Sequence, residues 1–439
     1  MTTIKISNRC TITGLSSNLA AQIKTALTLR NPAFVDAVKQ GRYIKNINEH
    51  LHYFRTTDAG LVVPRGFTGG VVDIIGPFTL IDKRRTLEPL QLEFSGDLRG
   101  YQASAVEDLN RFDFAVAEAA TGSGKTIIAL ALVAKRQQPT LVLVHSSELL
   151  FQWRDRIRQF LGVEPGLVGA GEFDIQDITI GIINSVEKRI DELKEKFSFI
   201  VVDECHRAAG SMFKKVISSF DSKYMLGLSA TPDRRDKLSQ VVNFYLGRTV
   251  HKVDKTHLNE IGAVLRPEIV QVETDFRYDY QDDYSTMIST LVEDPGRNMQ
   301  IVQETVKRTG MGVILIVSDR TAQLESIGAL LRDAGLESVI LTGGVPKKRR
   351  LQIVADIQSG NVKILLSTTS LISEGYDEAG LCVLILSTPI SFSGRLIQVV
   401  GRCLRPGPDK TPVVVDMNDC EVGVLRNGAK KRLRILKNL

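Results

Sequence analysis

Long apolar runs, paired cysteines and a secretory leader are absent from this chain, and each absence removes a class of protein. No stretch of 18 residues is continuously apolar, so no membrane-spanning helix is expected. The opening Met1-Thr2-Thr3-Ile4-Lys5-Ile6 lacks the apolar core of a signal peptide. The expected location is cytoplasmic, in a bacterium or a phage-infected cell, with no membrane partner. Five cysteines (Cys10, Cys205, Cys382, Cys403, Cys420) occur without a C-x-x-C pair. Neither a zinc site nor a disulfide framework is indicated, and reduced, mostly buried thiols are expected.

What is present reads as a soluble globular protein: 43% hydrophobic and 24% charged residues. At 439 residues the chain is long enough for two to four domains. Its net charge of +6 and pI near 8.9 permit a polyanionic partner. The charge is uneven. Residues 1–95 hold 12 Lys/Arg against 7 Asp/Glu, and the segment 426–439 carries Arg426, Lys430, Lys431, Arg432, Arg434 and Lys437 with no acid. Either basic run can equally be a solvated face.

The chain is organised around Ala119-Ala120-Thr121-Gly122-Ser123-Gly124-Lys125-Thr126. It follows the apolar run Phe114–Ala117, read as a buried strand, and leads into Ile127–Leu132, read as a helix. That order suits a phosphate-binding loop: small residues let backbone N–H groups and the helix N-terminus close around phosphate oxygens. Lys125 would meet the β/γ-phosphates and the Thr126 hydroxyl would meet Mg²⁺. Ala119 stands where the usual pattern G-x-x-x-x-G-K-[ST] begins with Gly, a mild departure.

Residues 1–90 read as a small α+β accessory module. Ile4–Ile6 and Cys10–Ile12 suggest strands, Asn18–Leu29 an amphipathic helix, and Phe34–Val38 a second short helix. Tyr53–Arg55 and Leu61–Phe67 suggest strands joined by a turn. Arg42, Tyr43, Lys45, Tyr53, Phe54, Arg55, Arg65 and Phe67 alternate basic and aromatic character, which can hold a phosphate backbone and stack bases. A small core with a wet face has the same composition. From 91 to 245, and again from 297 to 425, apolar strands alternate with helices, the pattern of mainly parallel, two-sided sheets. Only the first lobe has a phosphate loop. The stretch 246–296 reads as a linker with a small insertion, and 426–439 as a basic tail.

Asp203-Glu204-Cys205-His206 directly follows the apolar strand Phe199–Val202, placing two carboxylates at the end of a strand where such sheets bind ligands. Asp203 would hold Mg²⁺, and Glu204 would orient and deprotonate the attacking water.

From about Leu98 to Pro406 the residues resemble superfamily 2 helicases and nucleic-acid translocases, with seven or more motifs in the family's order. The resemblance implies two RecA-like lobes in tandem, with ATP and Mg²⁺ as cofactors. In Leu98-Arg99-Gly100-Tyr101-Gln102 it implies that Gln102 reads adenine with support from Arg99. Asp203-Glu204-Cys205-His206 resembles the D-E-x-H box, whose His206, with Ser229 and Thr231 of Ser229-Ala230-Thr231, would couple hydrolysis to strand movement. Gln398-Val399-Val400-Gly401-Arg402-Cys403-Leu404-Arg405 resembles Q-x-x-G-R-x-x-R. Arg402 and Arg405, three apart on one helix face, would act as arginine fingers, and Gln398 would serve the coupling. Fingers supplied by the second lobe would make hydrolysis depend on closure of a cleft between lobes. Glu374-Gly375-Tyr376-Asp377 resembles a motif touching nucleotide and strand, with Gly375 and Asp377 toward the nucleotide and no role assigned to Tyr376.

Strand contacts implied by the resemblance are Ser146 and Gln152 in His145–Trp153, Ser185 in Ile183-Asn184-Ser185, Thr342 and Gly343, and Thr368, joined by Arg42, Lys45 and Arg55 of the accessory module. Such contacts position a strand without reading its sequence. Thr231–Asp236 is similar to a stretch of XPB-type repair and transcription helicases, although the Glu of their Arg-Glu-Asp element is missing. The compact layout resembles phage branch-migration helicases. Asp-Glu-Ala-Asp and H-R-x-G-R-x-x-R, the marks of DEAD-box RNA helicases, are absent. The expected activity is ATP-driven, 3′ to 5′ unwinding or branch migration by a monomer on forked, branched or single-stranded DNA, in replication, recombination or repair. A duplex translocase, an RNA helicase and a catalytically inert scaffold are the alternatives. No nuclease motif of the P-D…E-x-K kind stands out.

Overall fold

The computed structural model describes residues 1–119, 122–207, 210–230, 239–253, 265–375, 380–390, 393–404 and 410–438. The chain divides near Val253 into two compact units.

The first unit begins with β1 (Thr2–Ile6), β2 (Cys10–Thr13), β3 (Thr28–Arg30), β4 (His50–His52), β5 (Arg55–Thr57), β6 (Gly60–Val63) and β7 (Phe78–Asp82). Five of these form a sheet ordered β5-β6-β2-β1-β7, antiparallel except for β1 beside β7, while β3 and β4 pair separately. Strand alternation turns Ile4, Ile6, Cys10 and Ile12 inward. The helix expected over 18–29 ends earlier, at Ala26, and Thr28 to Arg30 pair with β4 instead. The strand expected over 61–67 stops at Val63. Pro64 has no N–H for the ladder, and Arg65–Phe67 continue as a 3₁₀ turn.

The core of this module continues into Val241 and Phe244 of the helix Ser239–Leu246. Arg65, 2% exposed, donates from Nη1 to the Ser222 carbonyl at 2.9 Å, and Asn8 donates to the Ser218 carbonyl at 2.7 Å. Residues 1–90 therefore share a core and buried hydrogen bonds with residues beyond 210.

The second sheet of this unit is built from β8 (Phe114–Ala119), β9 (Thr140–Val144), β10 (Gly166–Gly169), β11 (Glu172–Phe173), β12 (Ile178–Ile182), β13 (Phe199–Val202), β14 (Tyr224–Ser229) and β15 (Thr249–Val253). The order is β11-β10-β12-β9-β13-β14-β8-β15, and only β11 runs antiparallel to its neighbour. Every residue of β9 and β13 is buried, because helices cover both faces. One face packs Leu130, Leu132, Trp153 and Ile157, and the other Phe197, Phe213, Val216 and Phe220.

In the second unit β16 (Glu268–Glu273), β17 (Val313–Ser318), β18 (Val339–Leu341), β19 (Ile364–Thr368), β20 (Leu381–Leu386) and β21 (Val413–Asn418) form an all-parallel sheet ordered β16-β21-β20-β17-β19-β18. The fold is thus two parallel α/β lobes in tandem, with an α+β module at the N-terminus. Residues 246–296 contribute β15 as the edge of one sheet and β16 as the edge of the other. Residues 426–437 are helical, in Gly423–Lys437, whose Leu425, Ala429, Arg432 and Leu436 are buried. Arg432 Nε donates to Asp416 Oδ1 at 2.8 Å, so one of the basic residues there is part of the interior.

Candidate nucleotide site and strand-contact positions

Strand order explains why distant segments meet. Neighbouring parallel strands β13, β14 and β8 end at Val202, Ser229 and Ala119, so the carboxylate pair, Ser229 and the phosphate loop emerge from one edge of one sheet. That edge is where open α/β sheets bind ligands.

The loop turns on glycine. Gly122 and Gly124 have φ of 87° and 79°, a region that an L side chain enters only with strain, and Gly124 caps the helix Lys125–Arg136. A Cβ on Gly124 would stand 2.4 Å from Gln102 Nε2, so the Gln102 amide lies against the loop. Gln102, 4% exposed, accepts through Oε1 from the Arg99 backbone N–H at 2.9 Å, which fixes the start of the helix Gly100–Asn110. Arg99 itself is exposed. Lys125 Nζ donates to the Ala119 carbonyl at 3.1 Å. Ser123 is buried, whereas Thr126, in the first turn of the helix, is half-buried.

Asp203 is held at both oxygens: Oδ2 accepts from Trp153 Nε1 at 2.8 Å and Oδ1 from the Glu204 backbone N–H at 2.9 Å. Burial, together with the adjacent Glu204 charge, pushes its carboxyl up to about 6. Burial also acts against ionised Glu204, but the His206 hydrogen bond and the Lys125 ammonium reverse this and draw it down to about 2. Of the two half-buried carboxylates, Asp203 has its charge disfavoured, which fits a divalent cation, and its oxygens and the Thr126 hydroxyl are donors of the kind that suit Mg²⁺. Among the described residues no three His, Cys, Asp or Glu side chains cluster as a metal cage.

Glu204 has φ of 48°, an uncommon conformation for a non-glycine residue and one that recurs at functional sites. Its Oε2 is 3.2 Å from His206 Nδ1, and the same nitrogen is 3.4 Å from Ser229 Oγ. The three expected coupling and catalytic positions are therefore in contact. A cavity of about 170 Å³ opens beside the carboxylates, walled by His145, Ile183, Met212 and Phe213.

The expected strand contacts follow the same edge logic. Ser146 follows β9 and caps the helix Ser147–Leu161, its Oγ accepting from Leu149 N at 3.4 Å; Gln152, half-buried, lies on that helix. Ser185 lies in the turn of helix after β12. In the second unit Thr342 and Thr368 stand at the ends of neighbouring β18 and β19. Arg350 Nη2 donates to the carbonyl of exposed Gly343 at 2.5 Å and steadies that turn. Gly375 ends the helix Thr369–Gly375, and Gln398 and Arg402, each 9% exposed, lie one turn apart on Ser393–Cys403. Arg42, Lys45 and Arg55 are exposed, the first two in the segment after the helix Pro32–Lys39. Thr231, Asp377 and Arg405 lie outside the described residues. Trp153 as a partner of Asp203 was not legible in the sequence, because 50 residues separate the two.

A phosphate loop with an acidic pair two strands away, on the first of two parallel lobes, is the arrangement of a P-loop NTPase. Residues 95–234 match the family described as type III restriction enzyme, res subunit, and residues 297–407 match the helicase conserved C-terminal domain. The chain belongs to the superfamily 2 helicases, which are ATP-hydrolysing enzymes. It is 29% identical over 299 residues to a probable helicase, D10, of Escherichia phage T5, covering 67% of this chain and 66% of that protein. It is 34% identical over 156 residues to the DNA 3′-5′ translocase XPB2 of Sulfurisphaera tokodaii, 36% of each chain. The chain thus spans just under two thirds, and about one third, of these relatives' lengths. In fold it is similar to Saccharomyces cerevisiae Dbp5 bound to RNA and ADP BeF3, with a TM-score of 0.59 at 15% identity over 77% of this chain and 88% of that one.

Proposed function

We propose that the protein is an ATP- and Mg²⁺-dependent DNA helicase that moves 3′ to 5′ along one strand and unwinds, or branch-migrates, forked DNA. The contact of Glu204 and Ser229 through His206 carries this reading, because it joins the hydrolytic carboxylate to the next strand end. Mg²⁺ would supply charge neutralisation at the phosphates. Lys125 and the loop N–H groups bind those phosphates, Thr126 and Asp203 hold the ion, Gln102 and Arg99 select adenine, and Glu204 takes the proton of the attacking water. Arg402 and Arg405 serve as the arginine fingers, an effect on the order of 10³–10⁵ in rate. The DNA preference and polarity follow the likeness to XPB2, which is named a DNA 3′-5′ translocase.

The test is ATPase rate and strand displacement in the same tubes, against single-stranded DNA, duplex, fork, four-way junction and single-stranded RNA. Fork and junction stimulation with displacement supports the proposal. Equal stimulation by plain duplex without displacement means a translocase, and preference for RNA an RNA helicase. Lys125→Ala and Glu204→Gln should each abolish hydrolysis with the fold intact; turnover in either would remove the site assignment.

A further inference from the structure

Trp153 is the single tryptophan of the chain and is 1% exposed. It belongs to the buried stripe Leu150, Trp153, Ile157 and Leu161 of the helix Ser147–Leu161, where a phenylalanine would also fill space. What phenylalanine lacks is the indole N–H, and that N–H donates to Asp203 Oδ2 at 2.8 Å. The opposite oxygen is taken by the Glu204 backbone N–H, so the two bonds together fix the plane of the carboxylate. The same helix starts at Ser146 and carries Gln152 immediately before Trp153. A helix is stiff over this length, and hydrogen bonds weaken steeply with misalignment. A small shift of the helix at its strand-contact end therefore changes how Asp203 is held.

We propose that Trp153 is a positioning residue for the metal-binding carboxylate, and that it transmits strand binding at the Ser146 and Gln152 positions to Asp203. This rests on the reading of Asp203 as the Mg²⁺ ligand. Loss of such an outer partner typically costs on the order of 10–100-fold in metal affinity or activity.

The experiment uses the full chain. Because there is one tryptophan, a ¹⁵N–¹H spectrum carries one indole signal, that of the N–H in this bond. The signal should move on addition of Mg²⁺ with ADP and, separately, of a single-stranded oligonucleotide. Trp153→Phe should bind the oligonucleotide as tightly as the unaltered chain. It should need roughly 10-fold more Mg²⁺ for half-maximal hydrolysis and lose most of the stimulation by DNA. An indole signal unmoved by both ligands, or a Trp153→Phe protein with unchanged Mg²⁺ dependence and stimulation, overturns the proposal. Should Trp153→Phe fail to fold, the indole titration of the unaltered chain decides alone. Asp203→Asn separates the two layers: if it leaves Mg²⁺ dependence intact, the ligand assignment itself fails, whereas if it abolishes hydrolysis while Trp153→Phe changes nothing, only the link fails.

Discussion

Nδ1 of His206 lies 3.2 Å from Glu204 Oε2 and 3.4 Å from Ser229 Oγ, so one imidazole spans the end of one strand and the end of the next. The imidazole beside Glu204 favours its ionised form. His206→Ala should lower ATP hydrolysis by on the order of 10-fold or more, the scale of a lost hydrogen bond to a charged group. Ser229→Ala should spare hydrolysis and reduce the base pairs opened per ATP. Measuring phosphate release and strand displacement together checks both; a constant ratio between them in Ser229→Ala would remove the coupling role.

Gly124 and Gly343 make a matched pair of glycine substitutions. At Gly124 a methyl group meets the Gln102 amide at 2.4 Å on a backbone of φ 79°, whereas at Gly343 no atom lies within 4 Å and the φ is not positive. Gly124→Ala should weaken ATP binding more than about 10-fold, from strain of roughly 1–2 kcal/mol plus displacement of Gln102. Gly343→Ala should leave ATP binding and melting temperature unchanged. Fluorescent-nucleotide titration of both variants checks this.

Glu204 has a left-handed backbone, which opposes stability, whereas its charge is favoured by His206 and Lys125. Glu204→Gly and Glu204→Ala both lose that charge and end hydrolysis, so Glu204→Gly should be the more stable of the two by roughly 1–2 kcal/mol, the strain an alanine keeps. Denaturant unfolding alongside an ATPase assay reads both. Equal stability of the two variants would mean that the left-handed backbone carries no strain.

Asp82, at the end of β7, accepts from Arg84 Nη2 at 2.7 Å and from Lys223 Nζ at 2.8 Å, tying residues 1–90 to β14. Hydrogen bonds from Arg84 and then Lys223 outweigh the effect of burial and hold its carboxyl below the ordinary carboxylate range. Its folded pKa is thus lower than its unfolded value of about 3.9. The stabilisation is fully present above that value and is lost as pH falls through the folded pKa. Asp82→Asn should cost about 1 kcal/mol at neutral pH, the scale of a partly exposed ion-pair network, and less at about pH 3. Thermal melts at the two pH values decide it, and an equal cost at both would exclude a charge effect.

The phosphate loop and the acidic box were legible because each is a contiguous run whose flanking apolar strand and following segment state its position. The parallel sheets were legible for the same reason: Thr140–Val144 and Phe199–Val202 are too uniformly apolar for a half-exposed strand. The separation of residues 1–90 from the first lobe was harder to read. Nothing local to Arg65 or Ile4 indicates that Val241, Phe244 and Ser222 complete their surroundings. Nor does the basic run after Arg426 show that Arg432 turns inward to Asp416.

The sequence by itself determined the chemistry on offer: a loop for phosphate, two carboxylates for an ion and a water, and hydroxyls at strand ends. These depend on neighbours within a few residues, where the chain's own geometry fixes the spacing. Only the tertiary structure decided which side chains act on one another: Gln102 against Gly124, Trp153 on Asp203, and His206 between Glu204 and Ser229. Those contacts exist because strand order, set by burial of both sheet faces, brings β13, β14 and β8 side by side, although β8 lies about 80 residues before β13 in the chain.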